Sequence, residues 1–297
     1  MTCTTRNVEV PPKRSDRKQR GPLDQTMCIV VGVLSRSKEF HLREWHRKRF
    51  EHAFPSSGIS HKNMIQLRFP VAHDPQYSWA VVEEARKNND ILFLPINEGY
   101  RWLMANTLEF LESALHIFYK DEEKASQQTS HREYLSFGSS SCSSEIIIKV
   151  DSDVFINYLN LFTALNQLPP SSSSLYTYFG LIQSHFPAST RNVRQWTGTS
   201  YNELPPWAVG PFYGLSVSLA RQLVRVRSTV VFADGDAMVP EEDRGIGIAL
   251  QRSGILHDVS LWMMKGLYMF CNVPAMIHDI ECEALPRDTI AVHVGWD

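Results

Sequence analysis

No run of the sequence approaches the roughly 20 consecutive apolar residues that a helix needs to cross a bilayer. The best stretch, MCIVVGVL at 27–34, is too short for that and lacks the flanks of a signal peptide, so it reads as a buried strand. The expectation is a soluble chain, with membrane association only if an anchor is missing from it. There is no N-x-S/T sequon, no C-x-x-C pair and no internal repeat. G-x-S-x-G, H-E-x-x-H and P-loop patterns are also missing, which removes several common hydrolase and NTPase classes. A net charge of −2 and a pI near 6.6 give no global positive field, which argues against a nucleic-acid partner. Cysteine is sparse: Cys3, Cys28, Cys142, Cys271 and Cys282. Cys28 falls in the first strand, where a free thiol packs as a small hydrophobe, and the last three can supply one disulfide. The odd count leaves the redox compartment open.

What the chain does have is a globular composition. Of 297 residues, 43% are hydrophobic and 21% charged, enough for one large or two smaller cores. Residues 1–26 stand apart. They carry Arg6, Lys13, Arg14, Arg17, Lys18 and Arg20, few apolar side chains, and PP and GP breaks. Such an arm cannot bury enough surface to offset its ordering entropy and is expected to be disordered. Its basic charge is that of a solvated tail, with a juxtamembrane or targeting remnant as the alternative.

From residue 27 apolar runs alternate with longer amphipathic ones. Strands are expected at 28–34, 64–72, 90–96 and 145–150, and helices at 37–54, 78–89 (with Ser78 as a cap), 100–120 and 158–168. Leu103, Thr107, Leu111, Ala114 and Phe118 share one helical face. Alternation of this kind predicts an α/β layer with a mostly parallel sheet. The second half is less regular: a strand near 176–183, a Trp/Pro-rich segment at 196–213, a helix at 215–227 and another beginning near 240. One domain over 27–297 is expected, with halves at 27–168 and 169–297.

The stretch EIIIKVDSDVFIN (145–157) ends an apolar strand in Asp151 and Asp153. Ligands of open α/β sheets bind beyond the carboxyl ends of strands. If the strand continues, residues i and i+2 face the same side, about 7 Å apart. Carboxylates about 6 Å apart repel by roughly 3 kcal/mol at an effective dielectric of about 20, and a divalent cation such as Mg²⁺ or Mn²⁺ reverses that. The plainer alternative is that one of them caps the next helix. Asp234 and Asp236 in VVFADGDA form a rival pair, although Gly235 favours a turn. In PEEDRGIG (240–247) the acidic residues either complement a helix dipole or place Asp243 as a general base beside the metal.

Several segments in order resemble the β-1,3-glycosyltransferases of family 31, galactosyltransferase-like enzymes of the GT-A (Rossmann-like) fold. They are LREW (42–45), EEARKNNDILFLPINEGYRWLMANTLEFL (83–111), IKVDSDVFIN (148–157), LPPWAVGPFYGLS (204–216), EEDRGIG (241–247) and AVHVGWD (291–297). The REWHRKR and INEGY stretches also resemble protozoan members. The resemblance implies Asp153 as main metal ligand, Asp151 at the ribose or a metal-bound water, and His293 completing the metal shell. It further implies Asp243 as general base and Glu242 at the acceptor pocket. Arg43 would face the diphosphate, and Trp207, Gly210 and Tyr213 would shape the sugar site. The implied partners are UDP-galactose or UDP-N-acetylglucosamine and a glycan acceptor on glycoprotein or glycolipid, with Mn²⁺ or Mg²⁺ as cofactor and the Golgi as location. One displacement at the anomeric carbon would invert its configuration. Ser152, Asn106 and Arg244 depart from the family pattern, which motivates a catalytically degenerate sugar-binding relative as the alternative. A metal-dependent phosphodiesterase or nucleotidyltransferase would require further carboxylates at other strand ends.

Overall fold

A computed structural model describes residues 27–54, 65–119, 142, 144–168, 176–183, 205–231, 242–268 and 288–293. The basic arm, Trp196 and the rival Asp234/Asp236 pair lie outside the described residues.

Seven strands form one sheet in the order β3-β2-β1-β4-β7-β6-β8: Ile91–Asn97, Ile65–His73, Met27–Leu34, Ser144–Asp151, Trp207–Ser216, Tyr176–Gln183 and Val259–Met263. All run parallel except β7, which is antiparallel to both β4 and β6. A small second sheet joins β5 (Val154–Ile156), β10 (Ala291–His293) and β9 (Leu267–Tyr268). The fold is therefore a mixed α/β architecture around a mostly parallel sheet, as expected of a GT-A-like protein.

Central strands read as unbroken apolar runs because both faces are covered. Ile29, Val31 and Val33 of β1, with Ile146, Ile148 and Val150 of β4, pack towards α1 (Phe40–Ala53), α2 (Ser78–Asn88) and α4 (Tyr158–Leu165). Their alternates, Cys28, Val30 and Ile147, pack towards α3 (Leu103–Tyr119), α5 (Val217–Arg225) and α6 (Glu242–Arg252). Gly32 belongs to that second face, where a Cβ would stand 2.1 Å from the Phe110 ring. No helix among the described residues is long and apolar enough to cross a membrane.

Four local expectations are corrected. Cys28 is not a free thiol but is bonded to Cys142, with Cα atoms 5.6 Å apart. The β1–β4 pairing sets Met27 beside Ser144 and so brings the two cysteines together. Helix α1 begins at Phe40, not 37, because Arg36–Glu39 closes a turn through the Glu39 amide and the Arg36 carbonyl. Helix α2 is capped at Tyr77, the Ser78 hydroxyl donating instead to the Pro75 carbonyl. The Trp/Pro-rich segment contains most of a strand, β7, which runs on to Ser216 and is hidden by its prolines. Pro211 and its neighbour Gly210 lie outside the paired registers with β4 and β6, so the missing N–H interrupts no ladder.

Candidate active site at the carboxyl ends of β1 and β4

Chain order 3-2-1-4 makes the gap between β1 and β4 a topological switch point, where the connections leave in opposite directions. Two loops border it, residues 35–39 after β1 and 152–153 after β4.

The β1 loop is held at nearly every backbone group. Ser35 N–H donates to the Pro70 carbonyl, Ser37 N–H to Glu98 (2.7 Å), Ser37 Oγ to the Ala72 carbonyl and Arg36 N–H to Glu39 (2.8 Å). Arg43, fully buried, commits all five N–H groups here: to Glu84, Ser35 Oγ, and the carbonyls of Arg36 (2.6 Å) and Ser37 (3.2 Å). Its guanidinium faces the loop rather than a ligand. Burial would raise the Glu84 carboxyl, but hydrogen bonds and charge from Arg43 and Arg47 hold it below its ordinary range.

The β4 loop does not continue as a strand. Ser152 and Asp153 form a turn, so the strand alternation does not carry through to Asp153. Ser152 is gripped from both sides: its hydroxyl donates to Glu39 (2.8 Å), and its carbonyl accepts from His46 Nε2 (3.1 Å). Burial lowers the His46 pKa to about 4, with the Ser152 carbonyl and the nearby Asp153 charge opposing that fall. His46 is therefore a neutral donor near pH 7. The helix-capping alternative is filled elsewhere, since Asn157 caps α4 through the Asn160 amide.

On the opposite face, Lys149 gathers the remaining acids. Its Nζ, 1% exposed, lies 2.7 Å from Asp151 Oδ1, 2.7 Å from the Gly210 carbonyl and 3.3 Å from Glu242 Oε2, and 5.5 Å from the Tyr213 ring centroid. Burial disfavours the ammonium, but Asp151 and Glu242 outweigh it and raise the lysine above its ordinary range. Glu242 is buried and accepts from the Tyr213 hydroxyl. Burial, with Asp151 and Asp243 close by, holds its carboxyl above the ordinary range in spite of Lys149. Because Gly210 is outside the ladders, its N–H is available to Asp243 Oδ2 (3.1 Å) while its carbonyl takes Lys149. Asp243 Oδ1 accepts from the Arg244 amide (2.8 Å), and its side chain stays half-buried rather than sealed. A Cβ at Gly210 would sit 3.7 Å from Asp243.

Asp151, Gly210, Tyr213, Glu242 and Asp243 thus form one connected group through Lys149. Trp207 is buried at its edge with the Arg244 guanidinium 5.4 Å from its ring, turning that departure from the family pattern towards an aromatic. Asp153 lies on the His46 side, and strand register sets His293 opposite Val154, next to Asp153 in sequence. Asp151 and Asp153 offer hard oxygen donors of the kind Mg²⁺ and Mn²⁺ take. Among the described residues no group of three or more His, Cys, Asp or Glu gathers to hold an ion.

Sequence reasoning missed Glu39 and His46 as partners of Ser152. Both lie in the polar stretch at and just after the start of α1, where nothing marks them among the other charges; only the β1–β4 pairing brings them to residue 152.

The family model described as galactosyltransferase matches residues 131–259, which contain β4, β7 and the whole of α6 and lie within the region of the family-31 resemblance. A match of this kind supports a glycosyltransferase with a nucleotide-sugar donor and a glycan acceptor. No curated protein matches the chain.

Proposed function

We propose, from the premise of that galactosyltransferase match over 131–259, that the chain is an inverting glycosyltransferase. It would move galactose or N-acetylglucosamine from a UDP-sugar to a glycan hydroxyl, in a β-1,3 linkage. One observation carries the reading: Asp243, a half-buried carboxylate fixed by the Gly210 amide, connects through Gly210 and Lys149 to Asp151 at the switch-point crevice.

In this reading Asp243 takes the proton of the acceptor hydroxyl as that oxygen attacks the anomeric carbon and the bond to the diphosphate breaks. Gly210 aims the base through its N–H, which donates to Asp243 Oδ2. Tyr213 and Glu242 are buried and work from beneath, keeping Lys149 and the Gly210 carbonyl in place, while Trp207 walls the sugar side. Asp151, Asp153 and His293 are the residues that would hold Mn²⁺ or Mg²⁺, whose chemistry is to neutralise charge developing on the UDP leaving group. Arg43 serves the diphosphate indirectly, by fixing the β1 loop. The Cys28–Cys142 bond suits the oxidising secretory pathway, with the Golgi lumen as the proposed location.

The test is UDP release with Mn²⁺, each UDP-sugar and simple sugar acceptors, beside Asp243→Asn. Turnover should fall by about 10²–10⁴-fold in the variant, the usual contribution of a general base. UDP binding without turnover would make the chain the degenerate relative. Neither turnover nor UDP binding would end the nucleotide-sugar reading.

A further inference from the structure

We propose that Arg36, with Lys38 beside it, is the cation pair that receives the diphosphate of the nucleotide sugar. The inference rests on reading the β1–β4 crevice as the donor site.

The crevice is acidic: Glu39 from one loop, Asp151 and Asp153 from the other. A diphosphate entering it needs positive charge that is not already engaged. Arg43 is sealed beneath the loop with every N–H bound, and Lys149 is buried between Asp151 and Glu242. Within residues 35–39 burial alternates: Ser35 and Ser37 point inward and are buried, Arg36 and Lys38 point outward and are exposed. That alternation is imposed, since the Ser37 hydroxyl and amide are bound to Ala72 and Glu98 and the Arg36 and Ser37 carbonyls to Arg43. A loop fixed in this way presents its two cations without a backbone ordering cost at binding.

Arg36 is also placed next to the acidic turn. Its Nε stands 3.9 Å from Glu39 Oε1, and the other oxygen of that carboxylate holds Ser152 Oγ at 2.8 Å. The Arg36 side chain is 64% exposed, and an exposed pair at that distance is weak enough for phosphate oxygens to displace. Arginine's planar fork suits bidentate contact with phosphate, and lysine adds a point charge.

The test is equilibrium binding of UDP, UMP and uridine to the full chain with Mn²⁺, for the parent, Arg36→Ala, Arg36→Lys and Lys38→Ala. Arg36→Ala should weaken UDP by about tenfold, as the loss of a charge-assisted phosphate contact does, and leave uridine unchanged. Arg36→Lys should recover part of the loss, and Lys38→Ala should cost a few-fold. Unchanged UDP affinity in Arg36→Ala, with the parent binding UDP, would overturn this assignment alone. An equal loss for uridine would overturn it too, because a distorted loop then explains the result. A parent that binds no UDP removes the donor-site reading and this proposal with it.

Discussion

The two faces of β4 handle buried charge in contrasting ways. On the α1 face, Arg43 and His46 reach the backbone at the carbonyls of Arg36, Ser37 and Ser152, and Arg43 also binds Glu84 and the Ser35 hydroxyl. On the α6 face, Lys149, Glu242, Tyr213 and Asp151 bind mainly one another, with the Gly210 carbonyl as the backbone exception. Backbone-directed groups fix where loops run. Groups directed at other side chains tune charge and transmit position between strands. The first face is a frame, and the second is where chemistry can be placed.

Removing each buried cation gives the sharpest break of that comparison. Arg43→Leu strips partners from the Ser35 hydroxyl and two carbonyls and leaves Glu84 with Arg47 alone, an expected loss of roughly 3–5 kcal/mol. Lys149→Met should cost less, roughly 1–3 kcal/mol, because the Glu242 carboxyl, already raised by burial, can keep a proton and Asp151 can rehydrate. Urea midpoints measure both, and a Lys149 variant less stable than the Arg43 variant would contradict the division of labour.

The next effect is a pH dependence belonging to the frame. Native His46 has its pKa lowered to about 4 from 6.5, so between those values the unfolded chain binds a proton that the native one does not. Its contribution is full above pH 6.5 and is lost as pH falls towards 4, by about 3 kcal/mol. Unfolding of metal-free protein at pH 7 and pH 4.5, against His46→Gln, measures it. A variant with the parent's acid sensitivity would show that the loss arises elsewhere.

The smallest effect tests the grip on Ser152. An aspartate in place of Ser152, Ser152→Asp, brings a second carboxylate against Glu39, which should cost about 1 kcal/mol at this partly exposed position. Glu39→Gln in the same chain should recover it, read as thermal midpoints. Greater stability in Ser152→Asp alone would mean that the Glu39 contact does not constrain the turn.

Much of the architecture was legible because burial on both sheet faces leaves a mark in sequence. IVVGV and IIIKV could only be central strands, and the expected helices from α2 to α6 fall within a few residues of their places. Strand β7 was obscured because Pro205, Pro206 and Pro211 resemble loop punctuation, yet Pro211 lies where no ladder bond is needed. The aspartates were visible, but the turn at Ser152 was not, since a turn held by Glu39 and His46 depends on contacts across more than a hundred residues. For the same reason the Cys28–Cys142 pairing was out of reach, being fixed by strand order and not by spacing. Family resemblance supplied roles for Arg43 and Glu242 that burial redirects towards support.

The position of β1 has a consequence for how the protein is made. Residues 27–34 pair on one side with a strand that follows soon after, but on the other with residues 144–151. During synthesis the β1–β2–β3 half therefore exists for a time with MCIVVGVL as an open, apolar edge. An edge of this kind recruits other chains as readily as its own, which makes nascent intermediates the species most exposed to aggregation. Arrival of β4 closes that edge and builds the β1–β4 crevice in the same step, so acquisition of the candidate site and escape from misassembly are one event in the life of the chain.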